Sequence, residues 1–142
     1  MPQVSIITPT YNCARFIEET IKSVQAQTFT DWEMIISDDC STDNTKEVIA
    51  PYLACDSRIK YICNDKNSGA AITRNNALRI ASGRWIAFVD SDDLWLPEKL
   101  EKQISFMETN DYAFTYHEYS EISEDGEDIG VTVSGIKRVG KF

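Results

Sequence analysis

Short apolar runs alternate with amphipathic stretches from the N-terminus to about residue 110 of this 142-residue chain. Residues 4–8 predict a strand, and Ile17, Ile21 and Val24 then recur at helical spacing within residues 14–27. Strands and helices that alternate in this way form a parallel sheet covered by crossover helices. The sequence therefore predicts an α/β fold, and ligands in such folds bind at the carboxyl ends of the strands.

The remaining elements follow from the same rules. Strands are predicted over residues 33–37, 59–63 and 85–89, and helices after Asp43, over residues 70–81 and from Pro97 onward. The 85–89 run has no polar alternation, which predicts a central strand buried on both faces. Residues 112–119 predict a strand that an Asp-Gly turn joins to residues 129–133 as a C-terminal antiparallel hairpin.

Length and charge limit the classes of function. A chain with 42% hydrophobic residues and this length forms one domain, expected over residues 1–142. The net charge is -9, and no Lys or Arg lies between Lys102 and Lys137. Such a surface repels a phosphate backbone, which argues against nucleic-acid binding. An anionic ligand would need a metal ion to supply positive charge locally.

The N-terminus and the cysteines indicate a cellular compartment. The first residues lack the basic start and the long apolar run of a signal peptide or a transmembrane segment, which predicts a cytoplasmic chain. Cys13, Cys40, Cys55 and Cys63 include no Cys-x-x-Cys pair, and His117 is distant in sequence. This spacing predicts reduced and mostly buried thiols in place of a zinc site.

Polar clusters follow three of the predicted strands. They comprise residues 9–12 (Pro-Thr-Tyr-Asn), residues 38–43 (Asp-Asp-Cys-Ser-Thr-Asp) and residues 90–93 (Asp-Ser-Asp-Asp). Because the carboxyl ends of parallel strands share one edge of the sheet, these clusters are expected to form one concave, acidic pocket with an aromatic wall.

The 90–93 run is the strongest candidate for chemistry. Several carboxylates at the end of a buried strand repel one another unless a cation compensates them, and Asp90 and Asp92 point the same way in an extended segment. Mg²⁺ or Mn²⁺ accepts one or two carboxylates and takes its other ligands from phosphate oxygens and water. The alternative is a solvated turn that caps the next helix, and the residues alone leave it open.

Two further groups could contact a nucleotide. A carboxylate of the Asp38-Asp39 pair could accept the imide N–H of uracil, and Tyr11 could stack on that base. The alternatives are a helix-capping loop and simple packing of the tyrosine. Arg74 follows Gly69 at the start of a predicted helix, where it could contact phosphate or ribose, neutralise nearby carboxylates, or do both.

Four separated motifs occur in order along the chain, at residues 5–12, residues 38–45, residues 67–69 with Arg74-Asn75, and residues 88–93. Together they resemble the family 2 inverting glycosyltransferases with a GT-A fold, and the likeness covers roughly residues 3–110. Cys40 stands where Gly or Asn is more usual in this family. The resemblance implies a UDP-sugar donor, with Pro9, Tyr11 and Asp39 around the uridine and Asp38 and Arg74 supporting the pocket. Asp90 and Asp92 would lie at the diphosphate and metal.

The resemblance also implies a reaction. The expected nucleotide-sugar-binding residues are Pro9, Tyr11, Asn12, Asp38, Asp39, Arg74, Asp90 and Ser91, and the expected ligands of Mn²⁺ or Mg²⁺ are Asp92 and Asp90. The expected function is transfer of a sugar, with inversion of configuration, to the hydroxyl of a saccharide or lipid-linked saccharide. This reaction would serve surface polysaccharide synthesis, and the inner face of the cell membrane is one location for it. The chain would be the N-terminal part of a longer enzyme whose general base lies beyond Phe142.

Two other hypotheses remain for comparison. A non-catalytic nucleotide-sugar-binding module would keep the pocket and lack the acceptor site and the base. A phosphoacceptor signalling domain is disfavoured, because its acidic pair should follow the first strand, where this chain has residues 9–12.

Overall fold

The computed structural model describes residues 1–133, in which two compact units are recognised. The first unit spans Met1–Leu100, and the second begins at Glu101. No helix among residues 1–133 is long and apolar enough to cross a membrane. The elements in chain order are β1 Val4–Thr10, α1 Ile17–Gln25, β2 Trp32–Asp38, α2 Thr45–Cys55, β3 Ile59–Cys63, α3 Ala70–Ile80, β4 Trp85–Phe88, α4 Lys99–Asn110, β5 Tyr119–Ile122 and β6 Asp128–Val133.

The sheet of the first unit has four parallel strands in the order β3-β2-β1-β4. Every residue of β1 and β2 is buried. On one face, Ile7 of β1 and Ile35 of β2 pack with Ala77 of α3. The apolar stripe of α1 is also buried, as its helical spacing predicts. The predicted α/β fold with a mostly parallel sheet is confirmed.

The prediction that residues 85–89 form a central strand is wrong. β4 lies at the edge of the sheet and pairs, within the part of the chain that the structure describes, with β1. Ile86 is 42% exposed and Phe88 is 52% exposed. An apolar run indicates that both faces of a strand favour burial. It does not indicate the position of the strand in the sheet or the segments that would cover its faces.

A buried carboxylate joins the strands at the end of the sheet where the strands begin, opposite their carboxyl ends. Glu33 Oε1 accepts hydrogen bonds from Ser5 Oγ at 2.6 Å and from the Ser82 N–H at 2.7 Å, and Oε2 accepts one from Lys60 Nζ at 2.6 Å. Burial by itself raises the pKa of Glu33, but these hydrogen bonds more than offset that effect and lower it to about 2. Glu33 therefore links β1, β2, β3 and the loop before β4.

The second unit corrects another predicted strand. β5 begins only at Tyr119, so the strand predicted over residues 112–119 is wrong for most of its length. The chain turns after α4 at Asp111, which has φ 54°, and the Phe106 and Tyr112 rings lie 5.5 Å apart. Alternating aromatic residues therefore imitate a strand pattern here. The antiparallel hairpin is confirmed, with β5 and β6 joined through a turn at Gly126, φ 83°.

All four cysteines are free, but the prediction that most are buried is wrong. Cys55 and Cys63 are exposed, and Cys13 and Cys40 are half-buried. Cys55 ends α2 and Cys63 ends β3, so both lie where an element reaches the surface.

Candidate functional site

The carboxyl ends of β1, β2 and β4 meet at one edge of the sheet. Backbone pairing continues past these ends, because the Asp39 N–H donates to the Thr10 carbonyl at 2.9 Å and the Val89 N–H donates to the Ile7 carbonyl at 3.2 Å. The polar clusters that follow the three strands are thereby held in register with one another. The parallel topology produces the convergence that was expected from the sequence.

A cleft of about 410 Å³ opens at this edge, within the size range of small-molecule sites. Seven of the nine residues that the sequence analysis nominated contribute to its wall, whereas Asn12 and Asp38 do not. The lining residues are Pro9, Thr10, Tyr11, Asp39, Asn67, Gly69, Ala70, Thr73, Arg74, Asp90, Ser91 and Asp92.

Asp39 is the buried acceptor of the cleft. Its Oδ1 accepts hydrogen bonds from Asn64 Nδ2 at 2.8 Å and the Ser68 N–H at 2.7 Å, and its Oδ2 accepts the Gly69 N–H at 2.7 Å. Burial raises the pKa of Asp39, but these hydrogen bonds outweigh that effect and lower it below its usual value. The carboxylate is therefore ionised at neutral pH and fixed in orientation.

Asp38, its neighbour, is used differently. Its Oδ1 accepts hydrogen bonds from the Ser41 N–H at 2.9 Å and from Ser41 Oγ at 2.6 Å, and its Oδ2 accepts one from the Tyr61 hydroxyl at 2.6 Å. Burial and the Asp38 carboxylate raise the pKa of Tyr61, so that hydroxyl remains a donor. Asp38 braces the loop after β2 from behind the cleft.

Asn12 and Cys40 shape the loops beside the cleft. Both have left-handed backbone conformations, with φ 50° and 65°. Asn12 Oδ1 accepts the Thr42 N–H at 2.8 Å and the Asp43 N–H at 3.3 Å, and the Asn12 N–H donates to Ser41 Oγ at 2.9 Å. These bonds join the loop after β1 to the loop after β2, so the structure places Asn12 outside the cleft wall as a link between loops.

Arg74 and Asp90 form an ion pair at the mouth of the cleft. Arg74 Nη2 lies 2.5 Å from Asp90 Oδ1, and the two side chains are 37% and 50% exposed. A second cavity of about 350 Å³ adjoins the pair and is lined by Arg74, Phe88, Asp90 and Asp93. The guanidinium therefore presents positive charge to two adjoining cavities while it compensates one carboxylate of the acidic run.

The backbone of the acidic run is anchored from below. The Ser91 carbonyl accepts a hydrogen bond from Thr20 Oγ1 of α1 at 3.0 Å and one from Cys13 Sγ at 3.4 Å. Ser91 is 7% exposed, while the side chain of Asp92 is exposed and lines the cleft. Anchoring at Ser91 fixes the position from which Asp92 extends.

The donor set at this edge suits a divalent cation that is shared with a ligand. Asp90 and Asp92 supply carboxylate oxygens, which Mg²⁺ and Mn²⁺ prefer. Among residues 1–133, no three His, Cys, Asp or Glu side chains come together as a complete metal site. A cation here would need further oxygen ligands, and a diphosphate and water can supply them.

Two residues that support the cleft, Asn64 and Thr73, are absent from the predicted site residues. Asn64 donates to Asp39 and, at 3.0 Å, to Thr73 Oγ1, and Thr73 lines the cleft. Asn64 directly follows β3, so the rule that strand ends carry function could have identified it. Thr73 carries no such signal, because its position on one face of α3 depends on how that helix is rotated.

Comparison with known proteins identifies the family of the chain. Residues 5–133 match the model of "Glycosyl transferase family 2". Over 122 residues the chain is 48% identical to the Escherichia coli protein named UDP-Glc:alpha-D-GlcNAc-diphosphoundecaprenol beta-1,3-glucosyltransferase WfgD. That alignment covers 86% of this chain and 47% of WfgD. The chain thus spans about half the length of the curated relatives it matches.

Solved structures agree with this assignment and show the fold to be GT-A. The chain superimposes on S. aureus TarS in complex with UDP-GlcNAc with a TM-score of 0.71 and 35% identity, over 75% of this chain and 31% of TarS. It also superimposes on the mannosyltransferase PcManGT of Pyrobaculum calidifontis, in complex with GDP-Man and Mn²⁺, with a TM-score of 0.70 and 28% identity, over 75% and 32% of the two chains. On its motifs, its fold and these matches, the chain belongs to glycosyltransferase family 2.

Proposed function

We propose that this chain is the donor-binding part of an inverting glycosyltransferase, which transfers a sugar from a UDP-sugar to a hydroxyl acceptor with the help of a divalent metal. The observation that supports this most is a cleft that unites an ionised, oriented carboxylate, an exposed tyrosine ring, an arginine and two exposed carboxylates. Each of these groups suits a different part of a nucleotide sugar.

The uracil end of the donor suits the deep part of the cleft. Asp39 carries an ionised carboxylate, and it can accept the N3–H of uracil, whereas N3 of cytosine offers no hydrogen. Tyr11 is 49% exposed and lines the cleft, so its ring is accessible to a base that stacks on it. We therefore assign base recognition to Asp39 and Tyr11, with Pro9 beside them.

The diphosphate suits the opposite side, where Arg74, Asp90 and Asp92 lie. Arg74 would bind phosphate oxygens, and Asp90 and Asp92 would hold Mn²⁺ or Mg²⁺. The metal, when bound, neutralises negative charge on the diphosphate. The match to a Mn²⁺-containing mannosyltransferase complex supports this part of the proposal.

The transfer step needs a donor held with its anomeric carbon exposed. An acceptor hydroxyl forms a bond to that carbon as the bond to the diphosphate oxygen breaks, and a general base takes the hydroxyl proton. Asp39 does not suit this role, because the hydrogen bonds it accepts lower its pKa and make the carboxylate a weak base. The expectation that the base lies beyond Phe142 stays a prediction.

We further propose a lipid-linked saccharide as the acceptor. The name of WfgD specifies such an acceptor, an N-acetylglucosamine attached to diphosphoundecaprenol, and WfgD is 48% identical to this chain. This assignment would place the reaction in surface polysaccharide assembly. Cytoplasmic location, which the sequence suggested, remains a prediction.

Calorimetric titration of UDP tests the donor site. We expect binding in the presence of Mn²⁺, and we expect EDTA or the Asp92→Ala substitution to weaken it by at least about tenfold, since the cation then loses a ligand. Asp31→Ala is the matched control, because Asp31 is exposed before β2, at the opposite edge of the sheet. A folded wild-type chain that does not bind UDP would contradict the proposed function.

A further inference from the structure

A chain of hydrogen bonds leads from an exposed cation to the buried carboxylate of the cleft. Arg79 Nη1 donates to Asn76 Oδ1 at 2.6 Å, and Asn76 Nδ2 donates to Asn64 Oδ1 at 2.7 Å. Asn64 Nδ2 then donates to Asp39 Oδ1 at 2.8 Å. Two of these residues, Asn76 and Arg79, belong to α3, and Asn64 follows β3. The Arg79 end has a fixed direction, because a guanidinium can only donate.

The two ends of this chain of bonds agree on one direction, because Arg79 can only donate and the ionised Asp39 can only accept. An amide side chain has one oxygen acceptor and one NH₂ donor, so fixing one end fixes the other. Arg79 occupies the oxygen of Asn76, which turns the Asn76 NH₂ toward Asn64. Asn64 must then accept through its oxygen, and its NH₂ is left to donate to Asp39 and to Thr73 Oγ1.

These hydrogen bonds leave the Asp39 carboxylate with one lone-pair position that can accept a hydrogen bond from a ligand. A carboxylate has about four lone-pair positions. Asn64 and the Ser68 N–H occupy both positions of Oδ1, and the Gly69 N–H occupies one position of Oδ2. The Thr73 hydroxyl also lies beside this carboxylate and lowers its pKa, but it donates its hydrogen to the Gly69 carbonyl at 2.9 Å. The fourth acceptor position of Asp39 therefore suits a single ligand donor such as the N3–H of uracil.

We propose that Asn64 is a positioning residue for nucleobase choice: oriented by Asn76 and Arg79, it holds Asp39 as a single acceptor for a uracil-type imide and so disfavours cytosine. This inference rests on the proposed function, because it assumes that the cleft binds a nucleotide. Asn64 acts through Asp39 and not by contact with the base.

The test compares UDP and CDP binding, with Mn²⁺ at pH 6, to the whole chain and to Asn64→Asp. The introduced carboxyl group and Asp39 are expected to share one proton, so Asp39 is part of the time an O–H donor and no longer only an acceptor. An O–H donor can face N3 of cytosine, which carries no hydrogen, but not the N3–H of uracil. We expect the ratio of UDP to CDP affinity to fall by at least about tenfold. Carbon NMR titration should show a higher pKa for the pair that Asp39 forms with the introduced carboxylate than for Asp39 in the wild type. The titratable groups on the neighbouring segments are the same in each variant, namely Asp38, Tyr61, Asp65, Lys66 and Arg74.

A second substitution keeps Asn64 and reverses its orientation. In Asn76→Asp, the new carboxylate can still accept from Arg79 but can only attract the NH₂ of Asn64, which turns the Asn64 oxygen toward Asp39. We expect a loss of UDP preference in the same direction, and this variant decides the question if Asn64→Asp does not fold. Asn44→Asp, at the exposed N-cap of α2, adds the same charge and should leave the ratio unchanged.

The role of Asn64 and the nucleotide-binding function of the cleft fail under different results. A wild-type preference for UDP that survives both Asn64→Asp and Asn76→Asp in folded protein would overturn the role of Asn64 and leave the proposed function intact. Wild-type protein that binds neither nucleotide would contradict the proposed function and, with it, the role of Asn64.

Discussion

At the scale of single residues, Asp38 and Asp39 show how neighbours assign a role to a side chain. Both are buried, at 1% and 4% exposure. Asp38 receives hydrogen bonds from Ser41 and Tyr61 behind the cleft, whereas Asp39 receives them from the loop before α3 and lines the cleft. One carboxylate braces a loop and the other is available to a ligand, although the two side chains are chemically the same.

Cys40 is expected to limit stability. It adopts φ 65°, a left-handed conformation that costs most L-residues about 1–2 kcal/mol and that Asn tolerates better. We expect Cys40→Asn to raise the free energy of unfolding by about 0.5–1 kcal/mol and Cys40→Val to lower it by about 1 kcal/mol, because β-branched residues fit this region worst. Urea denaturation measures both changes. A valine variant as stable as the asparagine variant would refute this account.

At the scale of elements, α1 supports the segment that follows the site. Gln27, buried just after α1, donates through Nε2 to the Leu96 carbonyl at 2.8 Å and accepts the Leu100 N–H through Oε1 at 3.0 Å. Thr20 of α1 holds the Ser91 carbonyl. The acidic run is thus anchored at Ser91 and followed by a fixed segment, which keeps its carboxylates at the cleft.

The loop before β4 tolerates no side chain at Gly83. A β-carbon there would lie 2.4 Å from the Ser5 backbone nitrogen, and the backbone of β1 cannot move without disrupting the sheet. We expect Gly83→Ala to lower the free energy of unfolding by about 2–3 kcal/mol. Gly126→Ala is the comparison, since an added methyl there meets no neighbour and costs about 1–2 kcal/mol through its φ of 83°. Equal losses in urea denaturation would show that Gly83 is not sterically constrained.

At the scale of the whole molecule, the charges that stabilise the fold and the charges that face the cleft lie at opposite ends of the strands. Glu33 joins three strands and the loop before β4 at the edge where the strands begin. Asp39, Arg74, Asp90 and Asp92 lie at the edge where the strands end. This separation allows substitutions at one edge to change stability without altering the charge of the cleft.

Acid should destabilise the fold through Glu33. Its pKa is about 2 in the folded chain against an ordinary value of 4.5, so its stabilising effect is complete above pH 4.5 and is lost as the pH falls through 2. That loss amounts to about 3 kcal/mol. Glu33→Gln should therefore be less stable at pH 7 and should lose less stability between pH 4.5 and 2. Glu47→Gln, exposed on α2, is the control, and a wild-type pH profile in Glu33→Gln would refute the assignment.

The sequence by itself determined the order of the elements, the GT-A class and the residues that gather at one edge. The spacing of apolar residues and the polar residues at strand ends both follow from local chain geometry. Both can therefore be recognised in the sequence without a structure. Only the tertiary structure decided that β4 is the edge strand among residues 1–133, that Asn12 and Asp38 lie outside the cleft wall, and that Asn64 donates to Asp39. Each of these depends on which distant groups come within hydrogen-bond or packing distance, and no local pattern encodes that distance.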